Sequence, residues 1–344
     1  MAGHKHDILI IGPSWVGDMV MAQSLFAALK QQHPHTHIDV LAPEWTRPLL
    51  ARMPEVREAI NMPVTHGVFA WKLRQEIGHR LRHKHYQQAI VLPNSWKSAL
   101  IPWFAKIPIR TGWLGEMRYG LLNDPRKLNK KALPLMVQRF VALAHPASQS
   151  HIAPEYLPPK MIAEPVSDIL NPVKAVEQKR LVLCPGAEFG PAKQWPATHY
   201  AALGEQLTQQ GWQVLIMGSK ADAAVGEQIV SGITDKQNVI NLCGKTQLGE
   251  AIDLIATADQ VVSNDSGLMH IAAALNKPLV AIYGPTSPAF TPPLSDNSQL
   301  VQIPIECSPC FKRTCPLGHH KCMQDLPSAK IADLISPPMA EMKH

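Results

Sequence analysis

The sequence predicts an α/β protein of two halves, each built on a parallel β-sheet with helices on both faces. In each half, short apolar runs alternate with amphipathic stretches, which is the pattern of successive β-α-β units. Small loops that contain glycine follow several of the apolar runs, as at the carboxyl edge of such sheets. A proline-rich stretch, 145–179, breaks the alternation and contains the predicted connection between the halves. At 344 residues the chain is long enough for two domains with separate cores.

The composition is that of a globular enzyme. Apolar residues make up 46% of the chain and charged residues 17%, which excludes a disordered or fibrous protein. No apolar run approaches the length of a membrane span, and the first residues lead into a strand without a signal-peptide pattern, so a cytoplasmic protein is expected. The formal net charge of +6 favours an anionic partner, such as a nucleic acid, an anionic lipid or a phosphorylated substrate.

The first half is predicted to begin with a buried strand at 8–11, a loop at 12–18 and a helix at 19–32. The loop matches neither a Walker loop nor the dinucleotide-binding fingerprint. It places Asp18 at the N-terminus of the helix, at the carboxyl edge of the sheet. A carboxylate in that position is either a general base or a helix cap.

The rest of the first half is predicted to add three strands and two helices, at 38–41, 58–62 and 89–92 and at 47–53 and 69–83. Two loops follow, 93–98 and 109–120, in which aromatic residues, cations and glycines are mixed. Loops of this composition bind acceptors in many α/β enzymes, but ordinary surface loops share it.

The second half is predicted to contain strands at 180–184, 213–217, 239–242, 261–264 and 279–283, with helices at 198–210, 221–232 and 248–257. The loop after its first strand carries Lys193, either a phosphate-binding cation or a surface lysine. The fourth strand ends in Asn264-Asp265-Ser266-Gly267, and a helix begins at once. Unpaired backbone N–H groups would point into this turn, so it is either an anion site or only a well-capped helix. Ligands are expected where the strand ends of the two halves form a cleft.

A cluster of cysteine and histidine residues lies near the C-terminus: Cys307, Cys310, Cys315, His319, His320 and Cys322. Thiolates at CxxC spacing share a metal ion easily, so zinc or an iron–sulfur cluster is one interpretation. Reduced thiols or a redox-labile disulfide are the others. A helix at 327–336 is predicted to close the chain.

Five stretches together resemble the ADP-heptose:lipopolysaccharide heptosyltransferases of glycosyltransferase family 9: GPSWVGDMVM, PNSWKSAL, RTGWLGEMRYGLLND, PGAEFGPAKQWP and NDSGLMHIAAAL. The resemblance covers nearly the whole chain. It implies a GT-B fold, in which two Rossmann-like domains with parallel sheets face a central cleft. The expected domains are an acceptor-binding domain at 1–172, an ADP-heptose-binding domain at 173–325, and a C-terminal helix and tail at 326–344.

The resemblance also implies an activity. It is the inverting transfer of L-glycero-D-manno-heptose from ADP-heptose onto the first heptose of the lipopolysaccharide inner core, with no metal ion or other cofactor required. Asp18 corresponds to the family's catalytic base and Lys193 to the lysine that steadies the departing diphosphate. The partners implied are ADP-heptose and a phosphorylated lipid A-Kdo-heptose acceptor, at the cytoplasmic face of the inner membrane, where the protein would be peripheral; no nucleic acid is implied.

The resemblance and the charge pattern together assign binding residues. The donor-binding candidates are Gly186, Lys193, Asp222, Asn264, Asp265, Ser266, Gly267 and His270. The acceptor-binding candidates, which would meet phosphate groups, are Lys97, Arg110, Arg118 and Arg139. These cations and Trp96, Trp103 or Trp113 could also bring the protein to a membrane surface.

Two alternatives remain open from the sequence. One is another heptosyltransferase of the same family, acting at the first or at a later heptose position. The other belongs to a different class: a basic nucleic-acid-binding protein with a Cys/His metal site. That interpretation predicts a basic stripe with aromatic stacking residues or a known zinc-module spacing, and neither is evident.

Overall fold

The computed structural model describes residues 6–64, 68–166 and 178–335, and every structural statement below concerns these residues. The chain divides into two compact units. Unit 1 contains Met1–Ile162 and Ala289–Thr291, and unit 2 contains Ala163–Pro288 and Pro292–His344. The domain boundary predicted at 172/173 lies outside the described residues.

Unit 1 contains one parallel sheet of six strands in the order β3-β2-β1-β4-β5-β6. The strands are β1 Asp7–Ile11, β2 His37–Ala42, β3 Val56–Asn61, β4 Gln88–Val91, β5 Ile109–Trp113 and β6 Asp124–Arg126. This is the doubly wound order, in which the chain starts at the centre of the sheet and builds outward in both directions. The side chains of the central strands, such as Leu9 and Ile90, are completely buried.

The helices of unit 1 are α1 Val16–Gln32, α2 Arg47–Leu50, α3 Trp71–Leu81, α4 Leu100–Phe104 and α5 Met136–Val141. Helix α1 begins three residues earlier than the expected Met19, because the backbone N–H of Met19 already donates to the carbonyl of Trp15 at 2.9 Å. Asp18 therefore lies within the first helical turn and not in the preceding loop.

The prediction that 109–120 is entirely loop is wrong for its first part, which forms strand β5. Polar and glycine residues interrupt the apolar pattern of this strand, and pairing with β4 compensates for that weak local preference. The expected strand at 58–62 lies at Val56–Asn61. Strand β6 and helices α4 and α5 were not predicted, because each has six residues or fewer and shows little periodicity.

Unit 2 repeats the architecture, with the strand order β12-β11-β10-β7-β8-β9, all parallel. Its strands are β7 Arg180–Cys184, β8 Gln213–Ile216, β9 Val239–Asn241, β10 Gln260–Asn264, β11 Leu279–Tyr283 and β12 Ser298–Gln302. Its helices are α6 Ala197–Gln209, α7 Ala223–Ser231, α8 Leu248–Ala256, α9 Gly267–Ala274, α10 Lys321–Gln324 and α11 Ser328–Ala332. The predicted class, two doubly wound parallel sheets, is confirmed.

The core of unit 2 is built around large side chains that the sheet and helices enclose. Trp195 and Tyr200 are completely buried, and their rings meet edge to face with centroids 4.7 Å apart. The indole N–H of Trp195 donates to the carbonyl of Leu326 at 2.9 Å. This packing anchors the end of the loop that carries Lys193 in the core of the unit.

Within the described parts of the chain, no helix has the length and apolarity that crossing a membrane requires.

Candidate active site

A cavity of about 1300 Å³ opens at the carboxyl edge of the sheet in unit 1. Loops that follow β1 to β4 supply most of its wall, as expected for a ligand site in a doubly wound fold. The wall contains six large aromatic side chains, Trp15, Trp45, Phe69, Trp96, Trp113 and Phe140. A space of this size accommodates a large polar substrate such as an oligosaccharide.

Asp18 lines this cavity from the first turn of α1. Its side chain is half-buried. A carboxylate in the first turn of a helix is stabilised in its charged form by the helix dipole, and that form can accept a proton. Both sequence-based interpretations, a base and a helix-end charge, thus fit the same position.

Two of the four predicted acceptor-binding cations, Lys97 and Arg139, line the same cavity. The guanidinium of Arg139 donates to the carbonyl of Leu133 at 2.9 Å and lies 4.8 Å from the centroid of the Phe290 ring. These contacts hold the cation at the wall, and burial lowers its pKa from the ordinary arginine value. Lys97 lies in the short turn that precedes α4.

The other two predicted acceptor-binding cations are placed elsewhere. Neither Arg110 nor Arg118 lines the cavity. Arg110 donates from Nε to the carbonyl of Leu121 and from Nη1 to that of Ile107, both at 2.6 Å. These bonds tie β5 to neighbouring turns, so the placement of Arg110 gives it a structural role.

Arg118 is completely buried behind the cavity wall. Its guanidinium donates to the carbonyls of Pro93, at 2.7 Å, and Trp113, and to the hydroxyl of Ser98 at 3.2 Å. Burial lowers the pKa of Arg118 to about 10. Pro93, Trp113 and Ser98 all line the cavity, so Arg118 holds the wall in place without contacting the space.

Replacing Arg118 with Met is expected to lower the free energy of unfolding by about 3 kcal/mol, because buried carbonyls lose their donor. Urea denaturation measures the loss. Arg80→Met, at an exposed position of α3, is the matched control and should stay within about 0.5 kcal/mol of wild type. A loss below about 1 kcal/mol for Arg118→Met would show that these hydrogen bonds do not support the wall.

One important residue of the wall, Arg74, was not predicted as a site residue. It is nearly buried and donates to the main-chain carbonyls of Phe69, at 2.7 Å, and Lys97, at 3.2 Å. It therefore connects α3 to the turn that carries a predicted acceptor-binding cation. The sequence contained an indication of this role, because an arginine on the apolar face of a helix is expected to be buried and to donate hydrogen bonds.

In unit 2 an ion pair joins two predicted donor-binding residues, Lys193 and Asp265. The Nζ of Lys193 lies 2.7 Å from Oδ2 of Asp265 and 3.2 Å from the carbonyl oxygen of the same residue. The side chains are 12% and 5% exposed, so solvent screens the pair weakly. The hydroxyl of Thr286 donates to the same Oδ2 at 2.6 Å. The loops after β7, β10 and β11 thus converge on one carboxylate.

Asn264, completely buried at the end of β10, fixes the loop that carries Lys193 at both of its ends. Its Nδ2 donates to the carbonyl of Pro185 at 2.7 Å, and its Oδ1 accepts from the backbone N–H of Trp195 at 3.2 Å. We call residues 185–196 the Lys193 loop. Asn264 is therefore a positioning residue, and its amide is not directed at a ligand.

The turn after Asn264 forms a helix N-terminus as predicted. Ser266 is the N-cap of α9, and its hydroxyl accepts from the backbone N–H of Met269 at 3.4 Å. Gly267 is the first residue of the helix and carries no side chain to cover the backbone. The position suits an anion such as a diphosphate, because the backbone N–H groups and the helix dipole both favour negative charge.

His270 lies one turn into α9 and is 5% exposed. Burial is the main cause that lowers the pKa of His270 to about 4; Asp265 opposes the shift and Lys193 adds to it. The imidazole is therefore neutral at pH 7 and adds no charge beside the ion pair.

The pKa of His270 predicts a loss of stability in acid. The unfolded histidine has a pKa of about 6.5, so the stabilisation is complete above that pH and falls as the pH drops towards 4. Between pH 7 and pH 5 we expect a loss of about 2 kcal/mol that His270→Gln lacks. Urea denaturation of both proteins at the two pH values measures the difference. Identical pH dependence would show that the histidine does not titrate in this way.

Two remaining donor-binding candidates, Gly186 and Asp222, lie against each other at the ends of β7 and β8. A Cβ atom on Gly186 would come within 2.6 Å of Oδ2 of Asp222, so only glycine fits without displacing the carboxylate. That oxygen also accepts from the backbone N–H and the hydroxyl of Ser219, at 2.8 and 2.7 Å. The carboxylate thus closes a local turn at the carboxyl edge.

The sequence comparisons identify the family of this chain. The profile of glycosyltransferase family 9, the heptosyltransferases, matches residues 74–321, which is more than half of the chain. The chain belongs to this family. It is therefore a glycosyltransferase, which decides against the alternative of a nucleic-acid-binding protein that is not an enzyme.

Several relatives that are 48–54% identical over most of the chain are described as heptosyltransferase 2. The lipopolysaccharide heptosyltransferase 2 of Salmonella typhimurium is 49% identical over 335 residues, which cover 95% of this chain and 96% of that protein. The solved structure of the E. coli ADP-heptose lps heptosyltransferase II has a TM-score of 0.84 at 47% identity and covers 95% and 97% of the two chains. The lipopolysaccharide heptosyltransferase 3 of Escherichia coli is 25% identical over 82% of this chain and 83% of its own. The structural match confirms the GT-B fold.

The donor-side site does not account for the cysteine segment, which we define as residues 303–322. Its four cysteines are free thiols, and the structure brings them together around one small cavity. Burial and the three neighbouring thiols raise the pKa of Cys322. Backbone N–H groups, that of His320 foremost, lower the pKa of Cys315. Among the residues that the structure describes, no three His, Cys, Asp or Glu side chains are arranged as a metal site.

Proposed function

We propose that this glycosyltransferase moves L-glycero-D-manno-heptose from ADP-heptose onto the first heptose of the lipopolysaccharide inner core. The observation that carries the proposal is the high identity to heptosyltransferase 2 proteins across both units, against the much lower identity to a heptosyltransferase 3. The similarity extends over the residues of the acceptor cavity as well as those of the donor-side site. Both sites decide which position of the inner core accepts the heptose.

Donor binding belongs to unit 2 in this proposal. The N-terminus of α9 and the ammonium of Lys193 supply positive charge for the diphosphate, and Asp265 holds that ammonium in position. Negative charge grows on the diphosphate as the bond to the sugar breaks. A fixed cation and backbone N–H groups stabilise this charge without Mg²⁺, so no cofactor is assigned.

Acceptor activation belongs to Asp18 of unit 1. The acceptor hydroxyl oxygen forms a bond to the anomeric carbon of the heptose while the bond from that carbon to the diphosphate oxygen breaks. Asp18 takes the hydroxyl proton, and ADP leaves with the bonding electrons. Attack from the face opposite the leaving group inverts the anomeric configuration.

The acceptor fits the cavity of unit 1 by its chemistry. Aromatic rings such as Trp15 and Trp96 offer apolar faces for sugar rings, and Lys97 and Arg139 offer charge for the inner-core phosphates. We assign a peripheral position at the cytoplasmic face of the inner membrane, because a lipid-linked acceptor is presented there. Trp103, 43% exposed on α4, suits contact with a lipid interface.

The test of transfer is product formation from ADP-heptose and purified mono-heptosylated lipid acceptor. Mass spectrometry should show the acceptor gaining one heptose residue, with one ADP released for each transfer. The rate should be the same whether or not Mg²⁺ is added. A rate that EDTA abolishes and Mg²⁺ restores would overturn the assignment of a cofactor-free mechanism.

A further inference from the structure

The cysteine segment surrounds a cavity of about 50 Å³ with an unusual lining. Six of the ten lining side chains are potential metal ligands: Cys307, Cys310, Cys315, His319, His320 and Cys322. The remaining lining includes Ala192 of the Lys193 loop and Pro285 from the loop that follows β11. The thiols therefore converge on one point beside the donor-side site of unit 2.

The cysteine segment contacts both of these loops through its backbone and side chains. The carbonyl of Arg313 accepts from the backbone N–H of Ala192 at 3.1 Å, and the backbone N–H of Phe311 donates to the carbonyl of Pro285 at 2.7 Å. The guanidinium of Arg313 lies 5.5 Å from the centroid of the Phe189 ring, and the Nζ of Lys193 lies 4.9 Å from the same centroid. The position of the segment thus bears directly on the position of Lys193.

Little in the cysteine segment itself accounts for a fixed position. From the end of β12 to the start of α10 it forms no helix or strand, and none of the residues 303–322 is buried. The fully buried apolar residue Met323 comes directly after the last cysteine and lies outside the segment. A segment with no core of its own is stabilised most effectively by a cross-link.

We propose that Cys307, Cys310, Cys315 and Cys322 bind one zinc ion as thiolates, and that the ion holds the cysteine segment against the loops that carry Lys193 and Thr286. Four thiolates are the ligand set of structural zinc, and each thiol gives up a proton on binding. The side chains of all four cysteines line the same cavity, so one ion placed there is within reach of each of them. His319, whose Nε2 lies 4.0 Å from the sulfur of Cys307, is a neighbour of the ligands.

Zinc binding requires the sulfurs to move inward, to the Zn–S distance of about 2.3 Å. The described side chains do not yet stand in that arrangement. Three of the four cysteines lie in irregular backbone between β12 and α10, so their sulfurs can move without breaking helix or sheet hydrogen bonds. Cys322 lies in the first turn of α10. A cavity of about 50 Å³ leaves room for one ion.

The test is the zinc content of the full chain, purified under reducing conditions without chelator. We expect about one zinc per chain by mass spectrometry of the metals. Cys310→Ser and Cys315→Ser should each lower it at least tenfold. Thr314→Ala, an exposed position in the same segment, is the matched control and should keep the ion.

Titration of the reduced, zinc-free wild type with zinc keeps the test independent of how the variants fold. Uptake of one equivalent of zinc supports the proposal. The proposal is overturned if the reduced chain binds no zinc, including the case in which the purified chain held a disulfide, or if both cysteine variants retain zinc. The positioning effect rests on the proposed function. ADP affinity of the zinc-free chain should fall about tenfold, and an unchanged affinity would refute this part alone. A zinc-loaded chain that transfers no heptose would contradict the proposed function and leave the zinc site standing.

Discussion

Replacing Asp18 with Asn should lower kcat for heptose transfer by about 10²–10⁴-fold, the usual contribution of a positioned general base. Asparagine keeps nearly the same shape in the first turn of α1 but cannot accept the acceptor proton. The affinity for ADP should not change, because the donor-side residues belong to unit 2. Steady-state ADP release and calorimetric ADP binding measure the two effects separately.

The control for Asp18→Asn is Asp18→Glu, which keeps the carboxylate but moves it by one methylene. Its kcat should lie between that of wild type and that of Asp18→Asn, because the carboxylate can still accept a proton but is displaced from its position. If Asp18→Asn keeps more than about a tenth of the wild-type rate while ADP binding is intact, Asp18 is only a helix-end charge.

Replacing Lys193 with Met should lower kcat by about 10²–10³-fold, the typical effect of removing one electrostatic contact to the developing charge. It should also lower the free energy of unfolding by about 3 kcal/mol, because the 5%-exposed carboxylate of Asp265 loses its cation. ADP release and urea denaturation measure these two losses.

A double variant separates the two roles of Lys193. In Lys193→Met with Asp265→Asn, no buried charge is left without a partner, so most of the stability should return. The transfer rate should stay low, because the cation is still missing. Recovery of the rate together with the stability would mean that Lys193 acts only by holding the loop.

The alternation of strands, loops and helices in the sequence was sufficient to predict the fold class and to place three candidate site residues at the carboxyl edges of their sheets. Asp18, Lys193 and Asp265 each follow a buried apolar strand, and parallel strands bring such positions to one edge of their sheet. The ion pair between Lys193 and Asp265, 72 residues apart, could not be predicted, because it depends on the pairing of β7 with β10.

Which of the predicted acceptor-binding cations face the cavity could not be predicted from the sequence. Lys97 and Arg139 line the cavity, whereas the guanidinium groups of Arg110 and Arg118 satisfy main-chain carbonyls. A cation in a loop looks the same in the sequence whether it faces a ligand or a carbonyl. The choice depends on the three-dimensional path of the loop, which short elements such as β6 and α4 decide.

The most direct test of the account compares ADP release from ADP-heptose with two purified lipid acceptors, one that carries the first heptose and one that lacks it. We predict efficient release with the mono-heptosylated acceptor and at least 10²-fold lower kcat/KM with the acceptor that lacks heptose, since a site built for a sugar leaves its polar groups unpaired without it. Equal or higher kcat/KM with the acceptor that lacks heptose would contradict transfer onto the first heptose and place the enzyme at another position of the inner core.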